Sequence, residues 1–151
     1  MNGKSLITRL IVFKMAEIKI SEVFSEDPGL RHCSISDESG EEFYHEVLND
    51  EFFKAFSSDE KLIVNLDGGS GYAPSFLDEA IGNLIYDFTL TNVKNYLTII
   101  SLEEPEWIEY LEKETYVQWE NRRLKGEAPK KTESHQPWYR MVNEDLIKKN
   151  W

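Results

Sequence analysis

Apolar positions along this chain follow an alternating rhythm of strands and helices from Glu17 onward. Ile18, Ile20 and Val23–Phe24 read as a first strand, near-alternating and rich in β-branched residues. After a polar loop containing Asp27-Pro28-Gly29, Ser39-Gly40-Glu41-Glu42 has the form of a capping box, with Ser at the N-cap and Glu three residues later. The face behind it, Phe43, Val47–Leu48, Phe52 and Phe56, has helical spacing and predicts a helix over 39–56. Lys61 to Leu66 is a short apolar run that breaks at Asp67-Gly68-Gly69-Ser70-Gly71, a strand entering a glycine-rich turn.

Pro74 then suits the first turn of a helix, where its missing N–H costs nothing. In the helix over 75–88, Phe76, Ala80, Leu84 and Phe88 form one stripe and Leu77, Ile81 and Ile85 the next, a broad face for burial. Tyr96 to Leu102 predicts a third strand. Glu103-Glu104-Pro105-Glu106 opens a third helix with acids at its positive end. Trp107–Ile108, Leu111, Thr115 and Trp119 mark the inner side of that helix. The composition then turns polar, and the chain closes on Trp138, Tyr139, Met141, Val142, Leu146, Ile147 and Trp151. That is too much apolar surface to leave in water, and it is expected to dock as a short helix, on this chain or on a partner.

The order β-α-β-α-β-α predicts a small α/β domain, with helices packed on a mostly parallel or mixed sheet of about four strands. The divisions that follow are an N-terminal extension over 1–16, a domain over 17–123, a linker over 124–136 and an aromatic C-terminal segment over 137–151. The apolar run Leu6–Phe13 is too short to span a membrane, and no small-residue cleavage site follows it. A cytoplasmic protein with no membrane partner is the expectation.

Charge changes this picture more than composition does. The 151 residues carry a formal net charge of −11, and the excess is segregated. Residues 1–20 sum to +3 and residues 122–151 to +4, while 21–121 hold five bases against 23 acids. An acidic body lies between two basic ends. Direct nucleic-acid binding is not expected, because replacing counterions on phosphates needs a surplus of Lys and Arg. The plainest role of the basic ends is to lie back on the acidic body. The functional alternative is an acidic face that steers a basic partner.

Candidate chemistry is sparse. The turn 67–71 lacks the lysine of a phosphate loop, and the dinucleotide fingerprint fails because position 74 is Pro. With one cysteine, Cys33, neither a disulfide framework nor any Cys-based zinc site is expected within one chain. His32–Cys33 are neighbours in sequence, which does not set a nucleophile against a base. His45 with Glu41, Glu42 and Glu46 could be drawn as a metal site, but such residues on an exposed helix face are ordinarily solvated. No catalytic residue, metal or cofactor is therefore expected. Ser75 stands out: it follows the glycine turn in the first turn of the best-packed helix. A phosphate there would meet free N–H groups and the favourable end of the helix dipole. Its bland role would be to help cap the helix.

The run Leu66–Leu84, LDGGSGYAPSFLDEAIGNL, with Phe24-Ser25, Pro28-Gly29 and Ser39-Gly40-Glu41-x-Phe43 upstream, resembles an uncharacterised bacterial STAS-like domain family over residues 17–112. The resemblance implies a fold like that of the anti-sigma-factor antagonists and no catalytic centre. It also implies a serine at a helix start whose phosphorylation by a partner kinase toggles binding. Ser75 is the position that matches, with Ser70 a poorer fit. Where the antagonists have Asp-Ser-Ser-Gly, this chain has Ser75-Phe76-Leu77-Asp78.

The expected function is thus a non-enzymatic, regulatory protein–protein interaction module. Its contact and switch residues would be Asp67, Gly68, Gly69, Ser70, Gly71, Tyr72, Ser75, Asp78 and Glu79, and its partner a histidine-kinase-like ATPase. The alternative is a small acidic inhibitor or nucleic-acid mimic, for instance phage-encoded, that fills a basic groove of a host defence protein. A homodimer through the aromatic C-terminus is a further arrangement.

Overall fold

A computed structural model describes residues 15–151. Its elements are β1 (Met15–Lys19), a short α1 (Ile20–Val23), α2 (40–57), β2 (Lys61–Asn65), α3 (Pro74–Phe88), α4 (Leu90–Tyr96), β3 (Leu97–Ile100), α5 (106–125), β4 (Trp138–Val142) and β5 (Asp145–Lys149). β1, β2 and β3 form a parallel sheet in sequence order, with Ile18 opposite Val64 and Val64 opposite Ile99. The sheet has three strands rather than about four. The remaining two form a separate antiparallel hairpin.

Each sequence pattern has a local cause. Leu62 and Val64 are buried while Lys61, Ile63 and Asn65 are not, so one face of β2 packs inward. Ser39 caps α2 by accepting the Glu42 N–H at 3.1 Å. Both α2 and α5 contain one π-helical turn, at Tyr44–Leu48 and Leu111–Thr115. Gly126, at φ +71°, ends α5 in the left-handed conformation that glycine adopts without strain.

α3 is the centre of the molecule, packed between α2 and α5. Glycine permits the close approach on both sides. A Cβ on Gly40 would lie 2.5 Å from the Phe76 carbonyl oxygen, and one on Gly82 would enter the indole of Trp119. Phe43, Leu48, Phe52, Phe76, Leu77, Leu84, Phe88 and Trp119 are at most 1% exposed and form the core with Leu62 and Val64.

Three expectations are corrected. The first strand spans Met15–Lys19, and Ile20 opens a helical turn instead of continuing the strand. The third strand, expected over Tyr96–Leu102, spans Leu97–Ile100, and Tyr96 ends a helix over Leu90–Tyr96 capped by Thr89. The C-terminal segment docks on this chain as a hairpin, not as a helix. Asn143 and Glu144 have φ of 50° and 70°, the two-residue turn geometry that matches strand twist. Tyr139 stacks on Phe53 with centroids 3.5 Å apart. Asn49 of α2 bonds both backbone groups of Tyr139, accepting its N–H at 2.8 Å and donating to its carbonyl at 3.0 Å. Residues 1–14, which include most of the extension read over 1–16, lie outside the described residues; Met15 and Ala16 pair with Lys61 and Leu62 in the sheet.

Candidate functional site

The carboxyl ends of the three parallel strands converge on the loop 67–73, the position where open α/β sheets bind ligands and partners. After β1, the Ser21 hydroxyl donates to the Asp67 carbonyl at 3.2 Å. After β3, the Leu102 and Glu103 N–H groups donate to the Asp67 carboxylate at 3.1 and 2.9 Å. Asp67 is therefore an anchor for the neighbouring turn. Ser70 donates its N–H to the Glu26 carbonyl at 2.7 Å and its hydroxyl to Asp27 at 2.8 Å. The loop turns back through Gly68 (φ +96°) and Gly71 (φ +124°). Gly68 and Ser70 remain exposed, and Gly69 and Gly71 partly so. Tyr72 is half-buried, its hydroxyl donating to the Leu66 carbonyl at 2.8 Å, and burial pushes its pKa up.

Pro74 is the first residue of α3, and no side chain caps this end. Ser75 is the second residue of the first turn, partly exposed, and it is not the cap. The carboxylates around this end, Glu26, Asp27, Asp67, Glu103 and Glu104, make it strongly acidic. Asp78 and Glu79 are set apart from that surface, at 8% and 2% exposure. Arg31 reaches in to both, at 2.7 and 3.2 Å, while Thr115 and Asn83 donate to Asp78 and Glu79 at 2.8 and 2.7 Å. Burial raises the Glu79 pKa. This pair joins α3 to the loop before α2 and to α5.

A second cluster surrounds the start of α2. Glu41 is 1% exposed and accepts hydrogen bonds from the Thr132 N–H (2.9 Å), the Thr132 hydroxyl (2.7 Å), the Cys33 N–H (3.2 Å) and His135 Nε2 (2.5 Å). His32 Nδ1 lies 3.2 Å from the same carboxylate. Burial would push the Glu41 pKa up, but the bonds from His135, Thr132 and Cys33 outweigh it and hold the group down to about 2. His45, one helical turn on, stacks on His135 with centroids 4.1 Å apart. Burial, with His135 and Lys131 alongside, lowers His45 to about 3, so it is neutral. Burial pushes the Cys33 thiol up to about 11, against the hydrogen bond from Ser39. A protonated thiol is a poor nucleophile, which argues against unassisted cysteine catalysis here. Cys33 Sγ, a Glu41 oxygen and a His135 nitrogen all lie within 4.8 Å of one another.

The glycine loop and Ser75 are visible in sequence because they are contiguous. The second cluster is not, because Glu41 and His135 are 94 residues apart and the segment carrying His135 reads as a linker. Of the acids drawn beside His45, only Glu41 turns inward; Glu46 is exposed.

A parallel α/β sheet with a helix start presented at its carboxyl edge fits a STAS-like α/β fold. Residues 39–107, a little under half of the chain, match the family model described as a STAS-like domain of unknown function (DUF4325). The match begins at the Ser39 cap, crosses the glycine loop and all of α3, and ends at Trp107. No curated protein and no solved structure matches the chain significantly. No helix among the described residues is long and apolar enough to cross a membrane.

Proposed function

We propose that the chain is a non-enzymatic regulatory module that binds a protein through the loop 67–73 and the first turn of α3, with Ser75 as a phosphorylation switch. The observation that carries this reading is the uncapped first turn of α3. A 15-residue helix presents Ser75 there, beside a glycine loop that is held by backbone hydrogen bonds. A phosphate on Ser75 gains from the helix N-terminus and adds about two negative charges to an end already acidic. The added charge changes the affinity for any partner that reads this end. The partner is a basic protein surface, because the exposed carboxylates around the loop steer a complementary charge. A histidine-kinase-like ATPase is the partner class that fits both a phosphate donor and a STAS-like acceptor.

The test incubates the full chain with such an ATPase encoded beside it and ATP, followed by mass spectrometry and binding measurements. Phosphate is expected on Ser75, Ser75→Asp should change ATPase affinity at least tenfold relative to Ser75→Ala, and the affinity should fall as salt rises. Absence of phosphate on every Ser and Thr refutes the switch. Unchanged binding by a Gly68→Arg, Ser70→Arg chain refutes the surface.

A further inference from the structure

All three histidines of the chain and its single cysteine gather at the first turns of α2. We propose that Cys33, Glu41 and His135 form a zinc site, its fourth position taken by water, that fastens the C-terminal segment to the domain.

Geometry carries the first part of the argument. Cys33 comes from the loop before α2, Glu41 from the first turn of that helix and His135 from the segment before the hairpin, yet their ligating atoms fall within 4.8 Å of one another. Zinc with S, N and O ligands at roughly 2.0–2.3 Å separates neighbouring ligand atoms by roughly 3.3–3.8 Å. The side chains therefore need to move by roughly an ångström to close on the ion. The His135 Nε2–Glu41 contact opens and the Cys33 thiol draws in.

His45 supplies an independent sign. It is 2% exposed, and neither of its ring nitrogens has a hydrogen-bond partner. Buried polar atoms are paired in the great majority of cases, so an imidazole with two orphan nitrogens wants an explanation. Its ring lies flat against His135, and it sits four residues after Glu41, on the same side of the helix. The helix makes its π turn at Tyr44–Leu48, across His45 itself, and such turns recur at functional sites. Stacked parallel to His135, His45 does not point at the same ion; it backs the His135 ring and holds it toward Glu41 and Cys33.

Charge and softness choose the metal. A thiolate, a carboxylate and a dication sum to zero, and a neutral imidazole adds nothing, so the ion can sit in a buried place without a residual charge. A sulfur, a nitrogen and an oxygen suit zinc and disfavour magnesium and calcium, which take oxygen. The surrounding groups are placed to orient the ligands. Thr132 donates twice to Glu41, His32 lies 3.2 Å from it, and the Ser39 hydroxyl is 3.3 Å from the Cys33 sulfur.

The test uses the full chain, stripped of metal and titrated with zinc alone or cobalt alone. One zinc per chain is expected to survive desalting. The cobalt form should show a thiolate-to-metal charge-transfer band and the intense visible bands of four-coordinate geometry. Cys33→Ser, a near-isosteric change at a half-buried loop position, should abolish the charge-transfer band and weaken zinc binding at least tenfold while the metal-free chain keeps its circular dichroism. His135→Ala should likewise weaken zinc binding at least tenfold. Zinc should also slow tryptic cleavage of the segment after Lys125. Retention of less than a tenth of an equivalent of zinc overturns the site. So does a cobalt spectrum without a thiolate band, or unchanged affinity in Cys33→Ser.

Discussion

Gly82→Ala tests the packing that places α3 at the centre of the molecule. On an exposed helix the change would stabilise, since alanine is better than glycine by about 1 kcal/mol in a helix interior. Here the new methyl falls roughly 1 Å inside the 3.4 Å lower edge of ordinary contact with the Trp119 indole. Trp119 is 1% exposed and rigid, so the clash is relieved only by moving α5 away from α3. Overpacking of this kind costs about 1–3 kcal/mol, and a rigid ring against a helix backbone belongs at the upper end. After the propensity gain is subtracted, a net loss of about 2 kcal/mol is expected. For a chain of this length that lowers the thermal midpoint by about 4–8 °C. Urea unfolding followed by far-ultraviolet circular dichroism reads the loss without depending on the altered tryptophan. The control is the same substitution in a Trp119→Leu background, where the ring is gone and the alanine should be neutral or stabilising by up to about 1 kcal/mol. The cycle should therefore return a coupling of about 2–3 kcal/mol. A wild-type background in which Gly82→Ala is neutral or stabilising would refute the close approach of α3 to α5.

Two further outcomes probe the C-terminal hairpin. Asn49→Ala leaves the Tyr139 N–H and carbonyl without their partners and should cost about 2–3 kcal/mol, with trypsin cutting the hairpin well before the helices melt. Asp87 is buried, and that burial raises its pKa above 3.8 even though Arg140 and Tyr44 bond to it. An acid whose folded pKa is raised binds its proton more tightly in the folded state, so its contribution is present at low pH and declines as pH rises through the folded value. Urea midpoints measured from about pH 4 to about pH 8 should accordingly fall less steeply in Asp87→Asn than in wild type, and parallel profiles would contradict the linkage.

What was legible in the sequence follows the range of the interactions involved. The Ser39 cap, the β2 alternation and the two stripes of α3 depend on neighbours within one or two turns, and each is found where its spacing puts it. The failures at β1, the hairpin and the buried acids involve distant partners. Ile18, Ile20 and Val23 carry a strand-like pattern, but β1 pairs with β2 only to Lys19. The hairpin lacks an Asn-Gly turn, and its apolar residues have no period that distinguishes helix from strand. Its conformation is set by Asn49, Phe53 and Asp87, which lie on other elements. Asp78 and Glu79 read as surface acids because nothing in sequence announces that Arg31, 47 and 48 residues away, will neutralise them.

The same reasoning changes the meaning of the chain's acidity. Several of the carboxylates in the −18 body do not face solvent: Glu41, Asp78, Glu79 and Asp87 are buried, and three of the basic or histidine side chains that compensate them, Arg31, His135 and Arg140, come from outside the helices that carry the acids. Two of these three partners belong to the basic C-terminal end. For Asp87 and Glu41, the expectation that the end lies back on the acidic body therefore has a specific form, a hydrogen-bonded attachment in place of a diffuse attraction. What remains to attract a partner is the set of exposed carboxylates around the loop 67–73, at the carboxyl edge of the sheet. A buried, paired acid is little affected by salt, while an exposed one at that edge steers association and is screened. Salt dependence should therefore separate the two groups. Partner binding at the loop should weaken as ionic strength rises, and the attachment of the hairpin should persist.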